Sequence, residues 1–322
     1  MPVIFTVTFN PCIDVNTKVG SLEPEIKLRC TEPLIQPGGG GINVARAITK
    51  LGGHAVALFP SGGETGRQLK DLLTGEHVSY ISEEISGSTR ESFIVTDMST
   101  GLQYRFTMPG PELDETACKG LLSVLDDQPQ LDYLVISGSL PKGVPLHVLE
   151  ELTAIACRKK AMLVVDIAGE ALTKAVECGA HLIKLSLHEL ASFAGVKDLP
   201  STEEVEAAAS RLLAHGTQAV IVSMGAAGAL CVSDGYSIRI DAPPARAVST
   251  VGAGDSMVAG VVLQLAQGKH LSQALEYGVA CGTAATMHPG TSLCEKKDVD
   301  ALLAKMKNST PDHTHQKSYS AL

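Results

Sequence analysis

Thr250-Val251-Gly252-Ala253-Gly254-Asp255-Ser256 joins a polar loop to a strongly apolar helix predicted over residues 256–267. Its glycines add little bulk, so backbone N–H groups at the helix start can point at one spot, where the helix dipole also favours negative charge. The stretch predicts an anion hole made by Gly252, Ala253 and Gly254. Asp255 stands beside it, where a carboxylate could take a proton from a hydroxyl that attacks a phosphoryl group. Taken alone, the stretch could also be an ordinary loop with an N-capping Asp.

A second glycine-rich stretch, QPGGGGINVARA at residues 36–47, places four consecutive glycines against a predicted helix start. Such a run is costly in chain entropy and is expected where the backbone must approach a ligand closely. Asn43, on the first turn, offers a donor and an acceptor to sugar hydroxyls. The chain has neither the G-x-G-x-x-G register nor a G-x-x-x-x-G-K-[ST] motif, which disfavours a Rossmann dehydrogenase and a P-loop enzyme.

Apolar, β-branched runs alternate with helical patterns along the whole chain. Strands are predicted over residues 3–9, 56–59, 133–136, 162–165, 182–185, 219–222 and 229–232. Helices are predicted over residues 42–51, 146–160, 203–215, 256–267 and 271–287. For the third of these, Ser201 and Glu204 form a capping box and Gly216 follows the end. This alternation predicts an α/β fold with a doubly wound, mostly parallel sheet covered by helices on both faces.

Two stretches, residues 14–36 and 83–109, interrupt that rhythm. In the second, Tyr104, Phe106 and Met108 alternate with polar residues. We expect a small β lid made by about residues 14–36 and 85–109, which covers a site or pairs with another subunit; two unrelated surface hairpins are the alternative. The apolar alternation on this exposed sheet predicts a homodimer. Residues 1–306 would then form the main domain, and the aperiodic residues 307–322 a disordered tail.

Composition excludes several classes of protein. The 322 residues carry a formal charge of −9 without a block of like charges, which makes nucleic acid an unexpected partner. No apolar stretch approaches the ~20 residues of a membrane span. The first six residues lack the basic segment of a signal peptide, so we expect a cytoplasmic protein. The eight cysteines lack zinc-ligand spacing and are expected to be reduced thiols.

In their order and separation, the two glycine motifs resemble those of the ribokinase-like (PfkB-type) carbohydrate kinases, and the resemblance covers about residues 1–305. It implies a ribokinase-like fold, with ATP and Mg²⁺ as cofactors. Within the family, the chain resembles the branch that phosphorylates fructose 6-phosphate at its 1-hydroxyl to fructose 1,6-bisphosphate. The stretches that carry this likeness are residues 27–31, 38–46, 104–106, 108–110, 137–141 and 249–252. Family members that act on fructose 1-phosphate usually carry Lys where this chain has Gly40.

The resemblance also implies roles for individual residues. The sugar phosphate would be held by Asp14, Lys27, Gly39, Gly40, Asn43, Arg90, Arg105 and Ser139. ATP would be bound by Lys184, Ser186, Ser223, Gly225, Gly228, Val279 and Thr283. Asp255 would be the general base, and Gly252, Ala253 and Gly254 the anion hole. Glu189 would order water around Mg²⁺. Backbone oxygens would hold a K⁺ ion at Ser249, Val251, Ala285, His288, Gly290 and Ser292.

Residue chemistry supports several of these roles while leaving simpler alternatives open. Asp14 directly follows the first predicted strand and could accept two sugar hydroxyls, or could simply form a turn. The guanidinium groups of Arg90 and Arg105 suit the phosphate of the substrate, although surface arginines are usually only solvated. The loop at residues 223–228 follows a strand end, where ligands of open α/β sheets bind, but a plain turn between strands has the same pattern.

One departure from the family concerns Lys184-Leu185-Ser186-Leu187-His188-Glu189, where family members commonly read Lys-Pro-Asn-x-x-Glu. Serine keeps a hydroxyl and Glu189 keeps the carboxylate, so we expect activity to survive. Two alternatives of the same fold are a fructose 1-phosphate kinase and a tagatose 6-phosphate kinase. A third is an inactive regulator that binds sugar phosphates.

Overall fold

The computed structural model describes residues 2–213 and 216–309, and these residues form thirteen strands and ten α-helices. The strands are β1 Ile4–Val7, β2 Cys12–Val19, β3 Leu34–Gly38, β4 Val56–Ser61, β5 Ser79–Glu84, β6 Arg90–Asp97, β7 Gln103–Thr107, β8 Tyr133–Ser137, β9 Met162–Asp166, β10 Leu182–Ser186, β11 Ala219–Ser223, β12 Ala229–Ser233 and β13 Tyr236–Ile240. The helices are α1 Gly40–Lys50, α2 Gly63–Gly75, α3 Glu115–Asp126, α4 Val148–Lys159, α5 Glu170–Cys178, α6 Leu187–Ala194, α7 Thr202–Leu213, α8 Ala253–Ala266, α9 Leu271–Thr286 and α10 Lys296–Ser309.

The main sheet has nine strands in the order β13-β12-β11-β10-β9-β8-β1-β4-β5. All neighbours pair in parallel except β11 with β12 and β12 with β13. One apolar cluster packs α1, α2, α8, α9 and α10 on one face, and a second packs α3 to α7 on the other. The predicted doubly wound α/β fold is therefore confirmed. Because the carboxyl ends of its parallel strands share an edge, polar residues at those ends converge.

The small second sheet has four strands in the order β3-β2-β6-β7. Its centre is the parallel pairing of β2 with β6, from Cys12 opposite Arg90 to Val19 opposite Asp97. The two segments that interrupt the α/β rhythm thus form one sheet rather than two separate hairpins. The lid, as we call these four strands with the loops that join them, leaves several large apolar side chains exposed, namely Leu34, Ile35, Leu102, Tyr104 and Phe106.

Two boundaries differ from the sequence prediction. The first strand ends at Val7, and Asp14 lies inside β2 as a buried residue instead of in a turn after the first strand. The last helix runs to Ser309, past the expected start of the tail at residue 307, and residues 310–322 lie outside the described part. The capping box is confirmed, since Ser201 Oγ accepts from Glu204 N and Ser201 N donates to the Glu204 carboxylate.

All eight cysteines fall within the described residues and are free thiols. None of the helices built by residues 2–213 and 216–309 has the length and apolarity needed to cross a membrane.

Candidate active site

The predicted anion hole lies where α8 begins. Gly252 is the N-cap, in the left-handed region with φ of 74°, and an added Cβ there would meet Leu293 at 2.5 Å. Glycine therefore suits this position on both conformational and packing grounds. Asp255 is the third residue of α8 and not its N-cap, so the simpler interpretation of this stretch as a capped loop is wrong. The N–H groups of the first turn are free of partners within the helix, as at any helix start, and can bind an anion.

Asp255 is a half-buried carboxyl whose raised pKa suits the predicted role of a base. Burial, with the nearby carboxylate of Asp166, raises its pKa from 3.8 to about 6, while the hydrogen bond from Asn43 and the charge of Lys184 oppose the rise. Asn43 Nδ2 donates to Asp255 Oδ2 at 3.0 Å. A carboxylate with a pKa near 6 is ionised at neutral pH, yet accepts a proton more readily than an ordinary aspartate.

Lys184 brings a buried positive charge to the same place. Its Nζ lies 3.1 Å from Oδ1 of Asp166, which ends the neighbouring strand β9, whereas Lys184 is the middle residue of β10. Burial acts to lower the pKa of Lys184, but Asp166 and Asp255 outweigh that effect and raise the pKa above its usual value. An added Cβ on Gly254 would lie 2.6 Å from Lys184 Nζ, so the ammonium sits directly against the anion hole.

A pocket of about 540 Å³ opens beside Lys184 and the first turn of α8. It is lined by all seven residues expected to bind the nucleotide, Lys184, Ser186, Ser223, Gly225, Gly228, Val279 and Thr283, together with Ala253 and Gly254. Residues 223–228 connect the antiparallel strands β11 and β12 and also form one wall. The loop is therefore both a turn between strands and part of the pocket.

A second pocket, of about 590 Å³, lies at the opposite edge of the sheet. Leu182 and Ala219, the first residues of β10 and β11, line it along with His181 and His270. It contains none of the residues expected to act in the site, and ligands of such sheets bind at the carboxyl ends of the strands. The pocket beside Gly254 is therefore the candidate site.

Asp14 and the glycine run form the other side of the site. Thr291 Oγ1 donates to Asp14 Oδ2 at 2.6 Å, and Cys12 Sγ donates to Asp14 Oδ1 at 3.2 Å. Burial raises the pKa of Asp14, although these hydrogen bonds oppose the rise. Gly40 packs so closely that an added Cβ would lie 2.3 Å from Ser137 Oγ. A larger residue at position 40 requires the loop to move.

Both lid arginines lie on the expected strands, but only one faces outward. Arg90 starts β6 and donates from Nε to Asn10 Oδ1 at 2.8 Å and from Nη1 to Ser92 Oγ at 2.9 Å. Asn10 Nδ2 in turn donates to Ser139 Oγ at 3.0 Å, so these residues form one network. Arg105 is exposed on β7 and donates to Thr250 Oγ1 at 2.7 Å, which ties the lid to the anion-hole loop.

Lys27 lies on the exposed loop between β2 and β3. Among residues 2–213 and 216–309, no hydrogen bond or ion pair joins Lys27 to the rest of the predicted sugar site. Its expected contact with the substrate phosphate therefore stays a prediction.

Glu189 has a structural task besides the expected one. Its Oε2 accepts from Ser186 N at 2.6 Å and from Ser186 Oγ at 2.7 Å, which makes the pair a capping box at the start of α6. Among residues 2–213 and 216–309, no group of three His, Cys, Asp or Glu side chains could hold a metal ion. Mg²⁺ commonly keeps several waters and takes only one or two carboxylates beside substrate phosphates, so this donor set fits it.

The expected K⁺ ligands come from two chain segments that meet. Ser249 N donates to Thr286 O at 3.2 Å, which joins residues 249–251 to residues 285–292. Gly290 is in the left-handed region with φ of 59°. His288 Nε2 lies 2.8 Å from Asp298 Oδ2, so its side chain is engaged and only its backbone oxygen is available for the expected role.

Four residues at the site were missed in the sequence: Asn10, Arg46, Asp166 and Thr291. Asp166 could have been found, because it directly follows the predicted strand 162–165, where polar residues of an α/β sheet gather. Asn10 belongs to an Asn-Pro pair, which is a turn signal. Arg46 and Thr291 have no comparable local signal, since their importance comes from contacts with distant parts of the chain.

A glycine-rich helix start beside a half-buried carboxyl and a buried lysine, at the carboxyl ends of a parallel sheet, is the arrangement expected of a carbohydrate kinase, a phosphotransferase. The chain belongs to the pfkB family of carbohydrate kinases, whose family model matches residues 6–298. The resemblance to the PfkB-type carbohydrate kinases, which the two glycine motifs indicated, is confirmed.

Individual members of the family differ in how similar they are to this chain. The chain is 42% identical to the ATP-dependent 6-phosphofructokinase isozyme 2 of Escherichia coli, over 94% of this chain and 98% of that protein. The 1-phosphofructokinase of Bacillus subtilis is 32% identical, over 94% of this chain and 98% of that one. A solved structure of Escherichia coli phosphofructokinase-2 in complex with fructose-6-phosphate superposes with a TM-score of 0.89 at 39% identity, covering 95% of this chain and 100% of that one. The same enzyme in complex with potassium gives a TM-score of 0.90 at 41% identity, with the same coverage.

Proposed function

We propose that the chain is an ATP-dependent 6-phosphofructokinase, which transfers a phosphoryl group to the 1-hydroxyl of fructose 6-phosphate. The position of Asp255 carries the proposal. Its carboxylate accepts from Asn43 on the sugar side and lies one residue from Gly254, which lines the nucleotide pocket. A base between an acceptor hydroxyl and a phosphoryl donor is what an in-line transfer requires.

Each group of the site then has a task. Asp255 takes the proton of the attacking hydroxyl, and Asp14 and Asn43 orient the sugar through its other hydroxyls. The N–H groups of residues 252–254 and the Lys184 ammonium stabilise the negative charge on the transferred group. The raised pKa of Lys184 keeps that ammonium charged throughout the neutral range.

Two cations complete the proposal. Bound Mg²⁺ would neutralise charge on the phosphates, and Glu189 is the residue that would hold it, through ordered water. Backbone oxygens of the two joined segments, 249–251 and 285–292, would hold K⁺ beside the anion hole. The potassium complex of the Escherichia coli relative supports that part of the proposal.

Fructose 6-phosphate is favoured over fructose 1-phosphate by Gly40. The backbone packs against Ser137 so tightly that the Lys usual in fructose 1-phosphate kinases could not enter without displacing the loop. The higher identity to a 6-phosphofructokinase than to a 1-phosphofructokinase, 42% against 32%, points the same way. Arg90 and Arg105 on the lid would meet the phosphate that the sugar already carries.

A homodimer joined through the lid is the proposed assembly, because Leu34, Ile35, Leu102, Tyr104 and Phe106 would otherwise leave an apolar patch in water. The Escherichia coli relative has a tetrameric inhibited form, so a further association is an outcome to look for. The cytoplasm is the proposed location, where the charged substrates ATP and fructose 6-phosphate occur.

Initial rates of ADP release with Mg-ATP test the choice of substrate. Fructose 6-phosphate, fructose 1-phosphate and tagatose 6-phosphate are compared at equal concentrations, with a no-sugar control for ATP hydrolysis. We expect the highest kcat/KM with fructose 6-phosphate. A higher value with either other sugar phosphate would overturn the proposed specificity and leave the kinase mechanism in place. Binding of all three without ADP release would favour the inactive regulator.

A further inference from the structure

Arg46 is a fully buried cation at the side of the site formed by Asp14 and the glycine run, where the sugar is proposed to bind. It lies on α1 with 1% of its side chain exposed. Nε and Nη2 donate to the two carboxylate oxygens of Glu76, at 2.7 and 2.6 Å. Nη1 donates to Pro37 O at 2.8 Å, Asn43 Oδ1 at 3.1 Å and Thr291 O at 3.1 Å. One guanidinium therefore joins the glycine run, the first turn of α1 and the segment that contacts Asp14.

The contact with Asn43 determines which way its amide faces. A guanidinium only donates hydrogen bonds, so only the Oδ1 of Asn43 can face Arg46. The amide is planar, so Nδ2 must then point the other way, where it donates to Asp255 Oδ2 at 3.0 Å. Without a donor behind it, the amide could turn and place its oxygen against the carboxylate, where it would repel the charge.

We propose that Arg46 is a positioning residue for the base: it holds the Asn43 amide in the single orientation that donates to the Asp255 carboxylate. Glu76 balances the charge of Arg46, so the guanidinium can be buried without shifting the site toward net positive charge. The inference rests on the proposed function for its link to catalysis. The two hydrogen bonds from Arg46 to Asn43 and from Asn43 to Asp255, which we call the relay, exist in the protein without substrate.

The relay has a measurable effect because the Asn43 hydrogen bond lowers the pKa of Asp255 against the effect of burial. The other charged groups that act on Asp255 are Asp166 on β9 and Asp14 on β2, which raise its pKa, and Lys184 on β10, which lowers it. A change at position 46 leaves all three in place. Loss of one hydrogen bond to a charged group raises a carboxyl pKa by about one unit.

Two variants and one control separate this role from a merely structural one. Arg46→Met with Glu76→Gln removes the relay and leaves no unpaired charge. Arg46→Lys keeps the charge, but one ammonium cannot contact both Glu76 and Asn43 Oδ1 in the same fork geometry. Glu76→Gln alone is the control: it weakens the ion pair and lowers the melting temperature, while the Arg46 contact with Asn43 remains.

Two quantities are measured. The first is the acid limb of the profile of kcat against pH, and the second is the titration of the aspartate carboxyls in the substrate-free protein, followed by ¹³C NMR of labelled aspartate. The Asp255 resonance is the one missing in Asp255→Asn. We expect both relay variants to move the acid limb and the Asp255 pKa up by about one unit. Turnover at pH 6, as a fraction of each enzyme's own plateau, should then fall from about one half in the wild type to about one tenth. Glu76→Gln keeps the Arg46 contact with Asn43 and makes the site more positive, so it should raise neither the acid limb nor the Asp255 pKa.

Folded relay variants whose Asp255 titrates as in the wild type would overturn the proposal, and so would an equal shift in Glu76→Gln. If the double variant does not fold, Arg46→Lys decides in the same way. Should the wild type show no turnover with fructose 6-phosphate, the proposed function fails. The NMR shift would still uphold the orienting role of Arg46 or refute it.

Discussion

Replacing Gly254 by Ala tests whether the Lys184 ammonium acts at the anion hole. The added Cβ would stand 2.6 Å from Lys184 Nζ, so the ammonium must retreat by about 0.9 Å to regain van der Waals distance. For a phosphate oxygen about 3.5 Å away, that retreat weakens the attraction by about 1 kcal/mol at an effective dielectric constant of about 20, or about fivefold in rate. If the nearby N–H donors are displaced as well, the loss reaches about 10²- to 10³-fold.

The assay is kcat at saturating Mg-ATP and fructose 6-phosphate, with a melting curve to show that the variant is folded. Gly75→Ala is the matched control, because Gly75 is the last residue of α2 and an added Cβ there meets no atom within 4 Å. We expect Gly75→Ala to keep the wild-type kcat and Gly254→Ala to lose at least about fivefold. A folded Gly254→Ala enzyme with wild-type kcat would refute the placement of Lys184 beside the transferred group.

Three further predictions concern pH, stability and assembly. Asp255 must be ionised to accept a proton, and its pKa is raised to about 6, so kcat should fall about tenfold per pH unit below pH 6. A kcat that stays constant down to pH 5 would exclude Asp255 as the titrating base. Glu76→Ala leaves the buried Arg46 unpaired and should lower the free energy of unfolding by about 3–5 kcal/mol in urea titrations, whereas a loss under about 1 kcal/mol would show that solvent replaces the partner. Phe106→Glu places a charge on the exposed apolar face of the lid and should give monomers in sedimentation velocity at concentrations where the wild type is dimeric; an unchanged dimer would place the interface elsewhere.

The fold was largely predictable because its signals are local. A run such as residues 162–165 predicts a buried strand from composition alone, and the glycines before α1 and α8 mark both helix starts. The lid was predicted from alternation, but its pairing needed the structure, because alternation does not specify the partner strand. Asp14 was misplaced because residues 3–9 read as one continuous strand, although Asn10-Pro11 marks the break that makes β2 a separate element.

The site was predictable where it depends on glycine motifs and less so where it depends on buried charge. Asp255 was predicted from the glycine motif and the nucleotide residues from the family resemblance, and the structure brings the predicted nucleotide residues together in one pocket beside the first turn of α8. The Arg46–Glu76 and Lys184–Asp166 pairs were missed. A charged residue in a sequence is usually solvated, and its burial becomes visible only when a partner far along the chain is brought to it.

Asp255→Asn tests the proposed mechanism most directly, because asparagine keeps the size and the hydrogen bond to Asn43 but cannot accept the proton. The measurement is kcat with fructose 6-phosphate and Mg-ATP, alongside equilibrium binding of both substrates. We expect kcat to fall by roughly 10²- to 10⁴-fold while both dissociation constants stay close to those of the wild type. Turnover at the wild-type rate in a folded Asp255→Asn enzyme would contradict the assignment of Asp255 as the base.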